Sequence, residues 1–176
     1  MATVRFILGG ARSGKSTYAL TRAREYGERV AFIATAEAHD EEMRLRIDRH
    51  IKERPGSWQT FEEPLYPADC ARKIGDGFDV LIVDCLTLLV SNMMGEGLTD
   101  EQALTHVQEL LQALAECPVP SIVVSNEVGL GIVPDNALAR RFRDLAGRIN
   151  QMAAARADEV VFMVSGLPMI LKGGGR

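Results

Sequence analysis

The apolar run Val4-Arg5-Phe6-Ile7-Leu8 leads directly into Gly9-Gly10-Ala11-Arg12-Ser13-Gly14-Lys15-Ser16, and a helical pattern follows from Lys15 to about Tyr26. The spacing GxxxxGK[ST] between a strand and a helix constrains this chain more than any other feature. Glycines let successive backbone N–H groups curl around phosphate oxygens, and the following helix presents its N-terminus to the same anion. In such a loop Lys15 reaches the β- and γ-phosphates of a nucleotide, and the Ser16 hydroxyl ligates Mg²⁺. A strand that feeds such a loop belongs to a mainly parallel sheet.

The rest of the chain agrees. Short apolar runs (Arg29 to Ala34, Phe78 to Val83, Val119 to Val124) alternate with amphipathic segments (Asp40 to about Arg54, Asp100 to about Glu116, Pro134 to Arg156). Strands that are apolar on both sides imply a sheet covered on both faces, the mark of an α/β fold. Ser57 to Glu62 alternates like a strand, and Pro67 to Ile74 reads as a short helix. Thr99 is the expected N-cap of the helix after it, and Pro134 is expected near the start of the long helix. Glu159 to Val164 and Met169 to Leu171 read as a final strand pair about a Gly166–Pro168 turn. With no repeat and no linker, residues 1–172 are expected to form one domain, and 173–176 a disordered tail.

A formal charge of −4 with pI near 5.4 argues against a general nucleic-acid-binding role. Cys70, Cys85 and Cys117 are odd in number and form no CxxC, which excludes a disulfide framework and a cysteine-based zinc site. No signal peptide is expected at the N-terminus, and the longest apolar run, Val160-Val161-Phe162-Met163-Val164, is far short of a membrane span. A cytoplasmic protein is expected.

A phosphate loop needs a second acidic group for Mg²⁺, and Phe78 to Val83 runs straight into Asp84. A second cationic feature lies between. Arg46, His50 and Arg54 recur at i, i+4 and i+8, expected opposite in character to Met43, Ile47 and Ile51. Flanking cations favour a neutral imidazole, and imidazole attack on phosphorus is ordinary covalent catalysis. A solvated charged face with an incidental histidine accounts for the same stripe, and spacing does not choose. His39 and His106 read as surface or packing residues, Trp58 as a core anchor, and Met93 and Met94 as packing. Glu127, beyond the Val119–Val124 strand, is placed to orient a metal, a water or a substrate hydroxyl, or simply to shape its loop. Arg140, Arg141 and Arg143 fit a phosphate, a large substrate or a neighbouring subunit.

Taken in order, GGARSGKS (9–16), IATAEAHDEEMRLRIDRHIKERP (33–55), Trp58 with TFEEP (60–64), LIVDCLTLLVSN (81–92), VSNEVGLGIVP (124–134), RRFRDLAGRINQ (140–151) and ADEVVFMVSG (157–166) cover nearly the whole chain. Together they resemble the bifunctional adenosylcobinamide kinase/adenosylcobinamide-phosphate guanylyltransferase family of cobalamin synthesis. The phosphate loop alone is generic; HxxxRP at 50–55, NEVGxGIVP at 126–134 and FRDxAGRxNQ at 142–151 are far more specific together.

The resemblance implies a RecA-like P-loop fold, mainly parallel with one antiparallel strand and helices on both faces, assembled as a homotrimer. It implies that ATP or GTP phosphorylates adenosylcobinamide, and that GTP then transfers GMP to the new phosphate, releasing pyrophosphate. It implies a guanylyl-histidine at the position of His50. Residues matching the family's guanine-nucleotide contacts are Thr35, Ala36, Glu37, Ile51, Lys52, Glu53, Arg54, Glu62 and Asp84. The physical reading of Glu62 is compatible, because a carboxylate accepts well from guanine N1–H and N2–H₂. A plain small-molecule P-loop kinase and a non-catalytic nucleotide-binding module share Gly9–Ser16 and Asp84 and remain alternatives at this stage.

Overall fold

Seven strands pair in the order β3-β2-β4-β5-β1-β6-β7 within one sheet. The computed structural model describes residues 3–38 and 40–173; the expectations for His39, for the tail beyond residue 173 and for the side chain of Arg46 lie outside the described residues. The strands are β1 (Val4–Gly9), β2 (Val30–Ala34), β3 (Gln59–Glu62), β4 (Val80–Asp84), β5 (Ser121–Asn126), β6 (Glu159–Val164) and β7 (Leu167–Lys172). The helices are α1 (Lys15–Arg24), α2 (Glu41–Lys52), α3 (Pro67–Lys73), α4 (Leu86–Gly95), α5 (Asp100–Glu116) and α6 (Ala137–Arg156). All pairs are parallel except β6 with β7. This is the α/β P-loop architecture expected from the alternation of apolar runs and amphipathic segments.

Successive strand residues point to opposite faces. On one face Phe6, Ile33, Leu81, Val83 and Val123 pack with residues of α3, α4, α5 and α6. On the other, Ile7, Phe32, Val80, Ile82, Ile122 and Val124 pack with Ala19 and Ala23 of α1 and with Trp58. Trp58 is thus the core anchor its sequence context suggests. The second face has much thinner cover, and neither Met43 nor Ile47 of α2 belongs to the core on either side. That asymmetry leaves a gap between α2 and the sheet.

Several local features differ from the sequence expectation. The stretch Leu86–Gly95 forms α4, for which no helix was expected. Its helical repeat is hidden because Leu86, Leu89, Val90 and Met93 are buried together with Thr87 and Asn92, leaving no polar face to reveal a period. The long helix begins at Ala137, not Pro134: Asn136 Oδ1 accepts from Leu138 N at 2.8 Å and Ala139 N at 3.1 Å, which is a full N-cap. The terminal hairpin turns at Ser165 and Gly166, with φ of 52° and 82°, so Pro168 already lies within β7. Two positive-φ residues match the right-handed twist of a tight hairpin, and an edge strand tolerates proline. Nor is every strand buried on both faces, since every residue of β7 is exposed. Thr99 caps α5 in a reciprocal capping box with Gln102, as expected.

Candidate active site

The loop between β1 and α1 is shaped by close packing on its neighbours. Gly14, at φ 90°, is the N-cap of α1. Ser13 O accepts from Gly166 N at 2.9 Å, so the β6–β7 turn buttresses the loop. A Cβ on Gly9 would run into Ser13 Oγ and lie 2.9 Å from the Met163 carbonyl oxygen. Ser13 Oγ is buried without a hydrogen-bond partner, while the Lys15 ammonium donates to the Gly10 carbonyl at 3.1 Å. The loop therefore concentrates donors at a helix N-terminus, the arrangement an anion requires.

Beside it opens a cleft enclosing about 810 Å³ of space, part of it continuous with solvent. Lys15 and Ser16 form one end. Ala34, Ala36, Asp84, Cys85, Leu88 and Asn126 line the strand side, Thr60 and Glu62 the far end, and Met43, Ile47, His50, Ile51 and Arg54 the α2 side. His50, Lys15, Ser16 and Asp84, far apart in sequence, thus share one cavity.

The α2 face corrects the sequence reading. Residues 43 and 46 are three apart, so their i+4 rows lie only about 60° from each other round a helix of 3.6 residues per turn. The two stripes are adjacent rather than opposed, and His50 and Arg54 enter the cleft among Met43, Ile47 and Ile51. The Arg54 guanidinium stacks 3.6 Å from the centre of the Phe32 ring, and its Nη1 donates to Thr60 Oγ1 at 3.1 Å. Burial pulls the Arg54 pKa down from the usual arginine value, with Asp84, Glu62 and Glu53 opposing. Arginine titrates so high that the group keeps its charge.

Asp84 occupies the cleft floor. Loss of hydration pushes its carboxyl above the usual carboxylate range, while His50, Lys15, Arg54 and a hydrogen bond from the Ser16 hydroxyl pull it back. The adjacent Cys85 thiol is pushed up to about 12 by burial and by the Asp84 charge. It stays a protonated thiol and is weakly nucleophilic.

Other candidate residues are placed differently. Thr35 is buried: its Oγ1 donates to Cys85 O at 2.7 Å and accepts from Cys85 N at 2.8 Å, so the hydroxyl braces β4 and does not line the cleft. Glu37, Lys52 and Glu53 are exposed outside the cleft lining. Gly10, Ala11, Arg12 and Gly14 belong to the loop wall. Glu127 folds onto its own loop, accepting from Gly129 N at 2.5 Å. Arg140 donates to the carbonyls of Pro134 and Asp135, and Arg141 to Asp100 and to the Leu98 carbonyl. Arg143 lies 3.5 Å from Asp144. His106 pairs with Tyr66 on the far side of the fold, ring centres 5.6 Å apart. Thr60 and Asn126 were not singled out from sequence. The rule that ligands gather beyond strand carboxyl ends would have pointed to Asn126 once the strand order was known.

Residues 5–171 match the family described as CobU, cobinamide kinase / cobinamide phosphate guanyltransferase. The chain belongs to this family. It is therefore an enzyme of the bifunctional kinase and guanylyltransferase class. A bifunctional adenosylcobalamin biosynthesis protein CobP of Pseudomonas aeruginosa is 49% identical over 168 residues, covering 95% of this chain and 96% of the relative. The CobU proteins of Salmonella typhimurium and Escherichia coli are 40% and 38% identical, each covering 94% of this chain and 98% of the relative. Among solved structures, a type III secretion ATPase matches with a TM-score of 0.59 at 13% identity, covering 91% of this chain and 50% of that one. The RadB recombinase matches with a TM-score of 0.54 at 17% identity, covering 91% and 73%. This cobinamide kinase/guanyltransferase chain thus spans about half of the secretion ATPase, and at such identities the likeness concerns the fold alone.

The packing at Gly9 yields a test. Gly9→Ala should displace Ser13 and weaken nucleotide binding by at least about tenfold, since a cradle misplaced by an added methyl loses several donor contacts. Titration of a fluorescent GTP analogue measures it.

Proposed function

We propose that this enzyme phosphorylates the aminopropanol hydroxyl of adenosylcobinamide and then transfers GMP from GTP to that phosphate, giving adenosylcobinamide-GDP and pyrophosphate in cobalamin nucleotide-loop assembly. The observation that carries the reading is that His50 opens into the same cleft as Lys15, Ser16 and Asp84. In the second reaction an imidazole nitrogen of His50 bonds to the α-phosphorus of GTP as the α–β bridge breaks, and pyrophosphate leaves. A phosphate oxygen of the corrinoid then bonds to the same phosphorus as the histidine–phosphorus bond breaks. Two displacements at one imidazole exchange one phosphate partner for another without both having to meet at once. Lys15 and Arg54 stabilise the charge that develops on the phosphates. Gly9 to Ser16 cradle the phosphates, and Ala36, Ile51 and Arg54 line the nucleotide.

Ser16 and Asp84 would hold Mg²⁺, which neutralises phosphate charge when bound. No group of three or more His, Cys, Asp or Glu among the described residues could hold a metal ion. A hydroxyl and one carboxylate suit an ion that fills most of its shell with phosphate oxygens and water.

Glu62 lies across the cleft from the phosphate loop, from β3 to β1 in the sheet order. At about 4.8 Å per strand step this is roughly 19 Å, a span suited to a nucleotide with its phosphates at Lys15 and its base at Glu62. We read the Glu62 carboxylate as the acceptor for guanine N1–H and N2–H₂. The unpaired thiols of Cys70, Cys85 and Cys117 fit a reducing cytoplasm, and among the described residues no helix is long and apolar enough to cross a membrane. The exposed apolar residues Leu130, Ile132, Val133 and Leu138, and those of β7, fit assembly as a homotrimer.

Three outcomes are expected. GTP labelled at the α-phosphate should leave acid-labile, base-stable label on the wild-type protein and none on His50→Ala; label of equal extent on the variant refutes the nucleophile. GTP should exceed ITP, which lacks the 2-amino group, in kcat/KM by about five- to a hundredfold, as one charge-assisted hydrogen bond suggests, and Glu62→Ala should level the two. Equal use by the wild type counts against a two-donor contact. Sedimentation equilibrium should give three times the 19.3 kDa chain mass; a monomer mass at micromolar concentration rejects the trimer.

A further inference from the structure

β5 lies between β1, which feeds the phosphate loop, and β4, which ends in Asp84. Its last residue, Asn126, is in register with Gly9 and shares the cleft wall with Lys15, Ser16 and Asp84. The Asn126 main chain is held from both sides. Its N–H donates to Thr87 Oγ1 at 2.6 Å, and its carbonyl accepts from Asn150 Nδ2 at 3.1 Å. These partners are buried and joined to one another: Thr87 Oγ1 and Ser125 Oγ lie 3.1 Å apart, and Ser125 Oγ donates to Asn150 Oδ1 at 2.7 Å. Three buried polar side chains, from α4, β5 and α6, thus fix the backbone of a single cleft residue.

The Asn126 side chain is engaged very differently. Its Nδ2 makes one long contact, 3.9 Å to Cys85 Sγ, and a thiol sulfur is a weak acceptor. Beyond that contact the amide keeps a second N–H donor and the Oδ1 acceptor for use. A side chain with spare hydrogen-bonding capacity on a rigidly held backbone is the arrangement that preorganised recognition requires. Being neutral, a carboxamide can donate to a phosphoryl oxygen and accept from a hydroxyl at once, which neither Lys15 nor Asp84 can do.

We propose that Asn126 is a catalytic residue of the kinase reaction, with Nδ2 donating to the terminal phosphoryl group and Oδ1 accepting from the attacking substrate hydroxyl. This rests on the reading that Gly9–Ser16 hold a nucleoside triphosphate with its terminal phosphate near Lys15. In the reaction the hydroxyl oxygen bonds to the γ-phosphorus as the bond from that phosphorus to the β–γ bridging oxygen breaks. The nucleoside diphosphate leaves, and the hydroxyl proton passes to an oxygen of the transferred group and then to solvent. Guanylylation occurs at the α-phosphorus with the imidazole arriving from α2, so it does not use the Asn126 amide. The residue therefore separates the two activities of the cleft.

The test compares Asn126→Ala and Asn126→Leu with the wild type in two assays: γ-phosphoryl transfer from ATP and from GTP to adenosylcobinamide, and α-label incorporation from GTP. Both variants should lose about a hundredfold in kcat for phosphoryl transfer, the usual cost of one preorganised donor. KM for the nucleotide and the rate of α-labelling should stay within about threefold. Asn126→Leu, close in shape and uncharged, keeps the test decisive if Asn126→Ala fails to fold. Phosphoryl transfer within threefold of wild type in Asn126→Leu, or parallel loss of both activities, overturns the proposal. A wild type that transfers the γ-phosphate but takes up no α-label refutes the guanylyl-histidine alone.

Discussion

Parallel strand pairing is the constraint on which the rest of this molecule depends. β1, β5, β4, β2 and β3 all run the same way, so their carboxyl ends meet at one edge of the sheet. Gly9 is opposite Asn126, Asp84 opposite Ala34, and Ala34 opposite Glu62. Each strand stops where its backbone leaves the ladder, and polar groups accumulate along the line of stops. The phosphate loop, the carboxylate floor and the far glutamate are thus consequences of a single register. A slip of one residue in any strand would turn its terminal side chain to the other face.

The unequal cover of the two sheet faces provides the space. α3, α4, α5 and α6 bury one face, whereas α1 and Trp58 carry most of the other. α2 therefore lies across an opening instead of a packed layer, and its Met43, Ile47, His50, Ile51 and Arg54 line it. Low hydration on the floor raises the Asp84 carboxyl, and the cations around it restrain the rise. The stacking of Arg54 on Phe32 keeps one of those cations at a set position through an aromatic of the core. A core aromatic thus also positions a residue of the site.

The fold was legible where a residue's role is local. The phosphate loop, the strand ending in Asp84, the Thr99 cap and the apolar strand runs are each set by neighbours in sequence. α4 was not legible, because a helix buried nearly all round has no polar face to mark its period. At the start of α6 Asn136 competes with Pro134 as a boundary signal, and the cap with two hydrogen bonds prevails. In the site, Lys15, Ser16, His50, Arg54, Glu62 and Asp84 were singled out and do share a cleft. Thr35 was singled out too, but its hydroxyl is bound to the backbone of Cys85. Asn126 stands in a family-specific segment, but membership of a segment does not say which of its side chains faces a ligand, and a lone Thr such as Thr60 carries no pattern.

From the order of residues alone came the anion-binding loop, the alternation that dictates a parallel α/β sheet, and the family-specific segments around His50, Asn126 and Asn150. All of these rest on short-range stereochemistry or on residue identity. The tertiary structure decided that His50 enters the cleft among apolar neighbours, that Glu127 bonds to its own loop and Arg140 and Arg141 to nearby carbonyls and Asp100, and that Asn126 is held beside the phosphate loop. Those outcomes depend on strand order and on which helices cover which face. They are settled by contacts between segments dozens of residues apart, for which no local spacing carries the information.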